Sequence, residues 1–426
     1  MKVVVVGLGY VGLPLAVRAA EVGHAVVGVD MDPVKIDSLS RSVSYIEDVT
    51  DGRLRGVREA GRFHAVLGWQ ERLAVPVAVR DFDIAVIAVP TPLRQATPDL
   101  SHVRSAGSML GHVLRHGAAV VLESTSYPGT TEGLLADVLH RESGLVASDD
   151  FHLGFSPERI DPGNKSFTLE NTPKLVSATT SVGLEVLLSF YDTIVERTVP
   201  VSSPRVAELA KIFENTQACV NIALINEVAG ICHDMGINVH EMVSASMTKG
   251  HSMAYWTPGP GVGGHCLPID PLYLAWQTRA LLGRPFKFAE LAEEINSGRP
   301  GYVVDRLARM LNDRQGLPLR GTKILVMGVA YKPNVGDLRE SPALPVIGRL
   351  LDRGAEVTIV DPHVDAWALT PQLDIEELAG EIANFPAVLV ITDHQDFDFD
   401  KIADTAQLVL DCRNAMPSYA TNVVLL

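Results

Sequence analysis

The sequence is poor in cysteine, in aromatic side chains and in positive charge. Four cysteines in 426 residues, Cys219, Cys232, Cys266 and Cys412, lie far apart with no C-x-x-C spacing. They leave neither a disulfide framework nor a structural zinc site to hold the fold, and a reducing cytoplasm is the expected location. His233, His251 and the other histidines show no metal-ligand spacing, so no metal is expected. Lysine and arginine total 36 against 51 aspartates and glutamates, a formal charge of -15 at pH 7. The mean field repels polyanions, which disfavours nucleic acid or an anionic membrane as partner while leaving room for a local basic pocket around a small phosphate ester. No stretch offers about 18 uninterrupted apolar residues, so no membrane span is expected. The apolar opening MKVVVVGLGYVGLPLAVRAA is broken by a Gly-rich turn and followed by a further apolar run, not by a small-residue cleavage site.

What the chain has is bulk: 47% hydrophobic residues with 35 Gly and 26 Pro. A folded chain of two to four domains, each at roughly 100 to 200 residues, follows from that length. Lys2 to Val6 is a β-branched run, residues 7–12 interrupt it, and Leu13 to Val22 continues as a helix. Ala25 to Val29 ends at Asp30, and Ile84 to Val89, Ala119 to Leu122 and Leu153 to Phe155 read as further strands separated by helical stretches. That alternation predicts a mostly parallel sheet covered on both faces. From Ser203, an N-cap candidate followed by Pro204, the chain runs to about Gly236 without proline and with apolar residues three or four apart, which predicts a long helix. Helical patterns recur at Leu272 to Leu282 and Phe288 to Leu311. After the polar segment Asn312 to Arg320, Lys323 to Val329 resembles the first strand again, and Val357 to Val360 ends in Asp361-Pro362. The reading is an α/β protein with domains at 1–202, 203–312 and 313–426: two doubly wound domains joined by a central helical domain with a long helix.

Three constellations carry chemistry. Gly7, Gly9 and Gly12 form G-x-G-x-x-G between a strand and a helix: a tight turn, a close approach of backbone to a pyrophosphate, and close helix packing with the helix N-terminus toward the anion. Asp30 at the end of the next strand suits the ribose hydroxyls of NAD and repels the 2′-phosphate of NADP, with Asp32 as the neighbouring alternative. The Pro- and Gly-rich stretch from Pro258 to Asp270 breaks both helix and strand and predicts a shaped loop. In it, Cys266 is either a nucleophile or a buried thiol, His265 is a scaffold residue before it is a base, and Asp270 is placed to orient a reacting group. Lys211 and Asn215, four apart on the long helix, share a face and both donate hydrogen bonds. A solvated polar stripe with Glu208 and Glu214 is the competing reading.

Taken together, GLGYVGLPLA, AVPTP, ESTSYPGTT, SPER, KIFENTQACVNIALINE, GPGVGGHCLPID and GVAYKPNVGDLRESPA resemble the NAD-dependent nucleotide-sugar dehydrogenases, the UDP-glucose and GDP-mannose dehydrogenase family, over essentially the whole chain. SYIED, VPTPLRQATPDLSHV and SPERIDPGN look most like the bacterial UDP-N-acetylglucosamine 6-dehydrogenases, since the UDP-glucose branch usually continues after SPE with Phe-Leu. The resemblance implies two Rossmann-like domains and a four-electron oxidation of the sugar C6 alcohol through thiohemiacetal and thioester intermediates on Cys266. It places Lys211 and Asn215 at the oxyanion, Asp270 with Lys211 in proton transfer, and Thr125 and Glu158 at the water. It assigns NAD to Gly7, Gly9, Tyr10, Val11, Gly12, Asp30, Lys35, Thr91 and Thr125. The nucleotide sugar goes to Glu158, Arg159, Lys211, Asn215, Tyr255, Gly261, Lys332 and Arg339. A homodimer or larger homo-oligomer, packed through the central helices, is the implied assembly.

Gly336 stands where many relatives carry Asp, and KGHSMAYW before the cysteine loop departs from the acetylhexosamine branch. UDP-glucose is therefore the alternative substrate, and a nucleotide-sugar-binding regulatory protein without turnover is the alternative from another class. A two-electron alcohol dehydrogenase has no need of the cysteine constellation.

Overall fold

The run Lys2–Val6 forms β1, the first strand of a computed structural model that describes residues 1–68, 75–95, 97–160, 166–250, 256–364 and 367–426. Two compact units divide the chain, Met1–Glu214 and Asn215–Leu426. In the first, β2 (Ala25–Asp30), β3 (Phe63–Leu67) and β4 (Ile84–Ile87) precede a two-stranded ribbon of β5 (Leu93–Arg94) and β6 (Thr97–Pro98). β7 (Ala119–Leu122), β8 (His152–Phe155), β9 (Lys174–Ala178) and β10 (Thr198–Pro200) follow. Eight of these make one sheet in the order β10-β9-β8-β7-β4-β1-β2-β3, in which the β8 to β9 pair alone is antiparallel. Strand order reverses between β1 and β4, the place in a doubly wound sheet where the loops part and leave a crevice at the C-terminal strand ends.

The central strands are apolar on both faces because helices cover both. Val3, Val5, Ile84, Val86 and Val121 pack with Leu13, Ala16 and Val17 of the helix Gly12–Glu21 in one core, all at most 1% exposed. Each of the Val, Leu and Ile side chains stabilises the fold by about 1.5–3 kcal/mol relative to an exposed one.

In the second unit β11 (Lys323–Met327), β12 (Glu356–Val360), β13 (Ala387–Val390), β14 (Val409–Asp411) and β15 (Val423–Leu425) form an all-parallel sheet, β12-β11-β13-β14-β15. The helices Val239–Met247, Asp270–Leu282 and Lys287–Gln315 precede it. Val303, Leu307 and Leu311 of the last pack on Ile324 and Val326 of β11. The long helix is there, Pro204–Asp234. Among the described residues, no helix is long and apolar enough to cross a membrane.

The structure differs from expectation in detail. The helical pattern read as far as Leu311 continues to Gln315, with Pro300 inside it, and stops at Gly316, whose φ of 65° is the left-handed helix end. Strands β3, β5, β6, β9, β10 and β15 lie outside the runs that the sequence marks as strands. β9 was hidden by its sequence, KLVSA, which starts with a lysine that proves to be buried.

Candidate functional site

In the first unit the turn after β1 shows why the three glycines stand where they do. Gly7 has φ 95°, and a Cβ there would lie 2.4 Å from Ala88 O. A Cβ on Gly12 would lie 1.8 Å from Gly7 O, so the helix could not begin so close to the strand with any larger residue. Gly9 has no heavy atom within 4 Å of its Cβ position. Packing demands the outer two glycines and leaves the middle one facing open space, which fits a backbone that admits a pyrophosphate. Val11 precedes the helix, and half-buried Tyr10 packs against the core.

Asp30 ends β2. Its Oδ2 accepts from the Leu8 N–H (2.8 Å) and its Oδ1 from the Asp32 N–H (3.0 Å). The Lys35 ammonium is 3.5 Å from Asp30 and 5.7 Å from the Tyr45 ring centre. Tyr45 donates to Leu8 O at 2.7 Å, and burial, then the charges of Asp30 and Asp32, push its hydroxyl well above the usual range. Thr91, buried, follows β4, and Thr125, half-buried, follows β7. These are neighbouring parallel strands, so the glycine turn, Thr91 and Thr125 occupy one edge of the sheet. Ser124 ties two of the loops by donating to Val89 O at 2.7 Å. Open Gly9, the helix N-terminus and Asp30 together fit NAD.

Glu158 follows β8. Its Oε1 accepts from the N–H groups of Arg159 and Ile160, both at 2.7 Å, and its Oε2 faces the Lys174 ammonium at 3.6 Å. The Arg159 guanidinium is turned to Glu214, at 2.7 and 3.3 Å, and to Pro173 O. Lys211 is 8% exposed and Glu208 is fully buried, which corrects the solvated-stripe reading of this helix face. Glu208 accepts from the N–H groups of Gly129 (2.5 Å) and Thr131 (2.9 Å) and from the Thr131 hydroxyl (2.7 Å), fastening the loop beyond Thr125. Burial pushes its carboxyl up to about 7.

In the second unit Cys266 is exposed, whereas Cys219, Cys232 and Cys412 are buried. Burial pushes the thiol of Cys219 up to about 11 and that of Cys412 up to about 12, so neither suits attack at neutral pH. The Cys266 carbonyl accepts from the N–H groups of Ile269 (3.2 Å) and Asp270 (2.8 Å), where the helix Asp270–Leu282 begins. Asp270, 4% exposed, accepts from the Asn215 side-chain amide. The loop also packs on the segment that carries Lys332 and Arg339. Gly264 N–H donates to Arg339 O (3.1 Å), a Cβ on Gly261 would lie 3.0 Å from Pro342, and one on Gly263 2.8 Å from Tyr331. The Lys332 ammonium is 5.8 Å from the Tyr331 ring centre, and Arg339 pairs with Asp337 at 2.6 Å. Burial, then the charge of Arg339, lowers the pKa of His265, as a neutral scaffold imidazole requires. Tyr255 lies outside the described residues.

Two groups went unread in the sequence. One is the buried set Glu123, Lys174 and Tyr191 beside Glu158; its only signal was a charge at the margin of two apolar runs. The other holds the cysteine loop at its start. Asn226 accepts from Gly259 N–H (2.9 Å) and donates to Asn296 (3.0 Å), while Arg299 donates to Gly259 O (3.1 Å) and Asn226 O (3.2 Å). Nothing in the spacing of residues 226, 296 and 299 announces that meeting.

Comparison with known proteins bears on the same regions. The NAD binding domain of the UDP-glucose/GDP-mannose dehydrogenase family matches residues 1–195, its central domain 205–298 and its UDP binding domain 325–418. The chain is 35% identical to Protein CapL of Staphylococcus aureus, over 96% of this chain and 94% of that one. It is 36% identical to a UDP-N-acetyl-D-glucosamine 6-dehydrogenase of Pseudomonas aeruginosa, over 86% and 84%. The structure of a UDP-D-ManNAc dehydrogenase from Pyrococcus horikoshii superposes with a TM-score of 0.89 at 29% identity, covering 100% of this chain and 98% of that one. The chain belongs to the UDP-glucose/GDP-mannose dehydrogenase family and is an NAD-dependent nucleotide-sugar dehydrogenase.

Proposed function

We propose that this protein oxidises the C6 hydroxyl of a UDP-N-acetylhexosamine, first of all UDP-N-acetylglucosamine, to the uronic acid in a four-electron reaction carried by Cys266. The observation that carries the reading is the contrast among the thiols: Cys266 is exposed on a loop pinned at Asp270, and the other three are buried. NAD, held by residues 7–12, Asp30, Lys35, Thr91 and Thr125, would supply the hydride acceptor, one NAD for each of the two oxidations, with NADH exchanged for NAD between them. Lys211 and Asn215 stabilise negative charge on the C6 oxygen. Asp270, with Lys211, takes the hydroxyl proton as the aldehyde forms. The Cys266 thiolate adds to that aldehyde as a thiohemiacetal, and its oxidation leaves a thioester. Water placed by Thr125 and activated by Glu158 attacks the carbonyl carbon, and the C–S bond breaks with its electron pair returning to sulfur. Thiolate serves here because it both attacks a carbonyl and leaves from a thioester. Arg159, Tyr255, Gly261, Lys332 and Arg339 hold the nucleotide sugar, and the cationic side chains among them suit a diphosphate within an acidic chain.

The substrate choice follows the Pseudomonas relative, which acts by name on UDP-N-acetylglucosamine, and the SPERI motif. The protein works as a homodimer or larger homo-oligomer, for which Phe213, Leu224 and Ile231 offer exposed apolar surface on the long helix.

With NAD and a panel of UDP-N-acetylglucosamine, UDP-N-acetylmannosamine, UDP-N-acetylgalactosamine, UDP-glucose and GDP-mannose, the expected result is two NADH per acid, fastest with the first. A ratio of one rejects the complete pathway. Cys266→Ser abolishes acid formation while NAD binding persists, and iodoacetamide modifies Cys266 in the native protein before the three buried thiols.

A further inference from the structure

Three polar side chains of the first unit, Glu123, Glu158 and Tyr191, gather about one buried ammonium, that of Lys174. Glu123 follows β7, Glu158 follows β8, Lys174 opens β9, and Tyr191 ends the helix Ser181–Tyr191. Lys174 Nζ lies 3.3 Å from Glu123 Oε1 and 3.6 Å from Glu158 Oε2, and it donates to Pro157 O at 3.4 Å. Tyr191 donates its hydroxyl to Glu123 Oε1 at 2.5 Å. Glu123 is 1% exposed, Lys174 4% and Tyr191 0%, and the second oxygen of Glu123 is buried without a hydrogen-bond partner.

Burying three charges costs several kcal/mol each before their attraction returns any of it, and a packed apolar cluster serves stability as well or better. A structural ion pair also needs one carboxylate, not two. Glu158 is the second: two backbone N–H donors hold Oε1, while Oε2, buried without a hydrogen-bond partner, faces the ammonium at 3.6 Å. The remaining charge near it, Arg159, is turned away onto Glu214 of the long helix. Burial pushes the Glu123 carboxyl up, with Lys174 opposing and Glu158 adding to the rise. Burial works against the charge on Lys174, and the two carboxylates outweigh it and leave its pKa raised.

We propose that Lys174 and Glu123 are positioning residues for Glu158, fixing the carboxylate that takes the proton of the attacking water and setting the pH range in which the Cys266 thioester is cleaved. The proposal rests on the role given to Glu158 above. In that step the water oxygen bonds to the thioester carbon, sulfur leaves with the C–S electron pair, and one water proton passes to the Glu158 carboxylate. Glu123 and Glu158 share the Lys174 ammonium, so a substitution at Lys174 or at Glu123 changes the charge that faces Glu158. Loss of the cation makes the carboxylates harder to charge and moves the ascending limb of the pH–rate profile up; loss of the second anion moves it down.

The test uses the full-length enzyme with NAD and UDP-N-acetylglucosamine, or whichever UDP-sugar of the panel it oxidises. Rapid mixing follows NADH, and intact mass reports acyl-Cys266. Lys174→Met is expected to keep a burst of two NADH per subunit, to slow steady turnover about tenfold or more with acyl-enzyme accumulating, and to move the limb up. Lys174→Arg restores turnover to within about threefold. Glu123→Gln, which preserves shape and the contact with Tyr191, moves the limb down. Should Lys174→Met fail to fold, Lys174→Arg and Glu123→Gln decide the matter. Limbs that stay in place or move in the same direction overturn the proposal, as does a Lys174→Met burst slowed in proportion to turnover. Glu158→Gln separates the two layers. If it turns over normally, the role of Glu158 falls and the proposal with it; if it stalls as acyl-enzyme while the other variants leave the limb unmoved, the proposal alone falls.

Discussion

After β1 the chain turns at Gly7, and after β11 it turns at Gly328, with φ of 95° and 75°. Gly7 N–H donates to Val29 O at 2.7 Å and Gly328 N–H to Val360 O at 2.9 Å. A Cβ on either would stand 2.4 Å from a carbonyl oxygen, that of Ala88 or of Thr392. The next N–H goes to the aspartate ending the second strand: Leu8 to Asp30 Oδ2 at 2.8 Å, Val329 to Asp361 Oδ2 at 2.7 Å. From there the regions part. In the first the helix begins at Gly12, and the Asp30 side chain keeps 12% exposure. In the second the helix waits until Ala343, and Asp361 has none, facing His394 Nε2 at 3.1 Å. Asn334 N–H donates to His394 Nδ1, which puts the ring proton on Nε2, toward Asp361. One device is thus built twice, left open at Asp30 and closed by an imidazole at Asp361. Strand, glycine and aspartate belong to the fold; function is read from what differs around them.

The strongest way to break the comparison is at the two glycines. Alanine at either position must hold a left-handed φ and push on a backbone carbonyl, so each substitution is expected to cost about 3 kcal/mol or more. Calorimetry with and without NAD separates them. Gly7→Ala loses the upward shift that bound NAD gives to unfolding, and Gly328→Ala keeps it. A Gly328→Ala protein that no longer responds to NAD shows that the second turn also serves the first crevice.

The aspartates come next. Asp361→Asn is expected to cost about 2 kcal/mol, because the buried donors from Val329, Ala330 and His394 lose their charged acceptor. Asp30→Asn costs less than about 1 kcal/mol in stability but raises use of NADP relative to NAD, as the repulsion of a 2′-phosphate is gone. Burial alone would raise the Asp361 pKa; His394 and the backbone donors of Val329 and His363 outweigh it and leave it lowered. A lowered folded value means stability that is complete above the unfolded pKa and lost as pH falls through the folded one. Acid titration of urea unfolding should therefore show loss of stability below about pH 4, and Asp361→Asn should lose less over that window. An unchanged acid slope assigns the effect to other carboxylates.

The shared half of the comparison was legible in the sequence, because a β-branched run, a glycine and a strand ending in Asp are local signals, and Lys323 to Val329 read as a second β1. The same holds for the long helix and the cysteine loop, whose proline and glycine exclude regular structure. What closes the second turn was not legible: His394 meets Asp361 across 33 residues, and no spacing rule joins them. Lys174 has no local signal either, since the two carboxylates that face it, Glu123 and Glu158, come from the ends of other strands. Gly336 gains a reason only from the fold: a Cβ there would lie 2.3 Å from His363 O, so any larger residue requires the chain at His363 to shift.

The smallest effect sharpens the open turn most. Lys35 sits 3.5 Å from Asp30 with 33% of its side chain exposed, so the pair is solvent-screened. Lys35→Met is expected to change stability by less than about 0.5 kcal/mol and NAD affinity by less than about threefold. It should nonetheless widen the preference for NAD over NADP. In the wild type the ammonium offsets part of the Asp30 charge and offers the 2′-phosphate an attractive partner; without it the full carboxylate faces that position, while ribose hydroxyls still find their acceptor. The ratio of NAD to NADP dissociation constants at low and moderate salt measures this. An unchanged ratio means that Lys35 points its charge elsewhere when the cofactor is bound, and that Asp30 alone sets the preference.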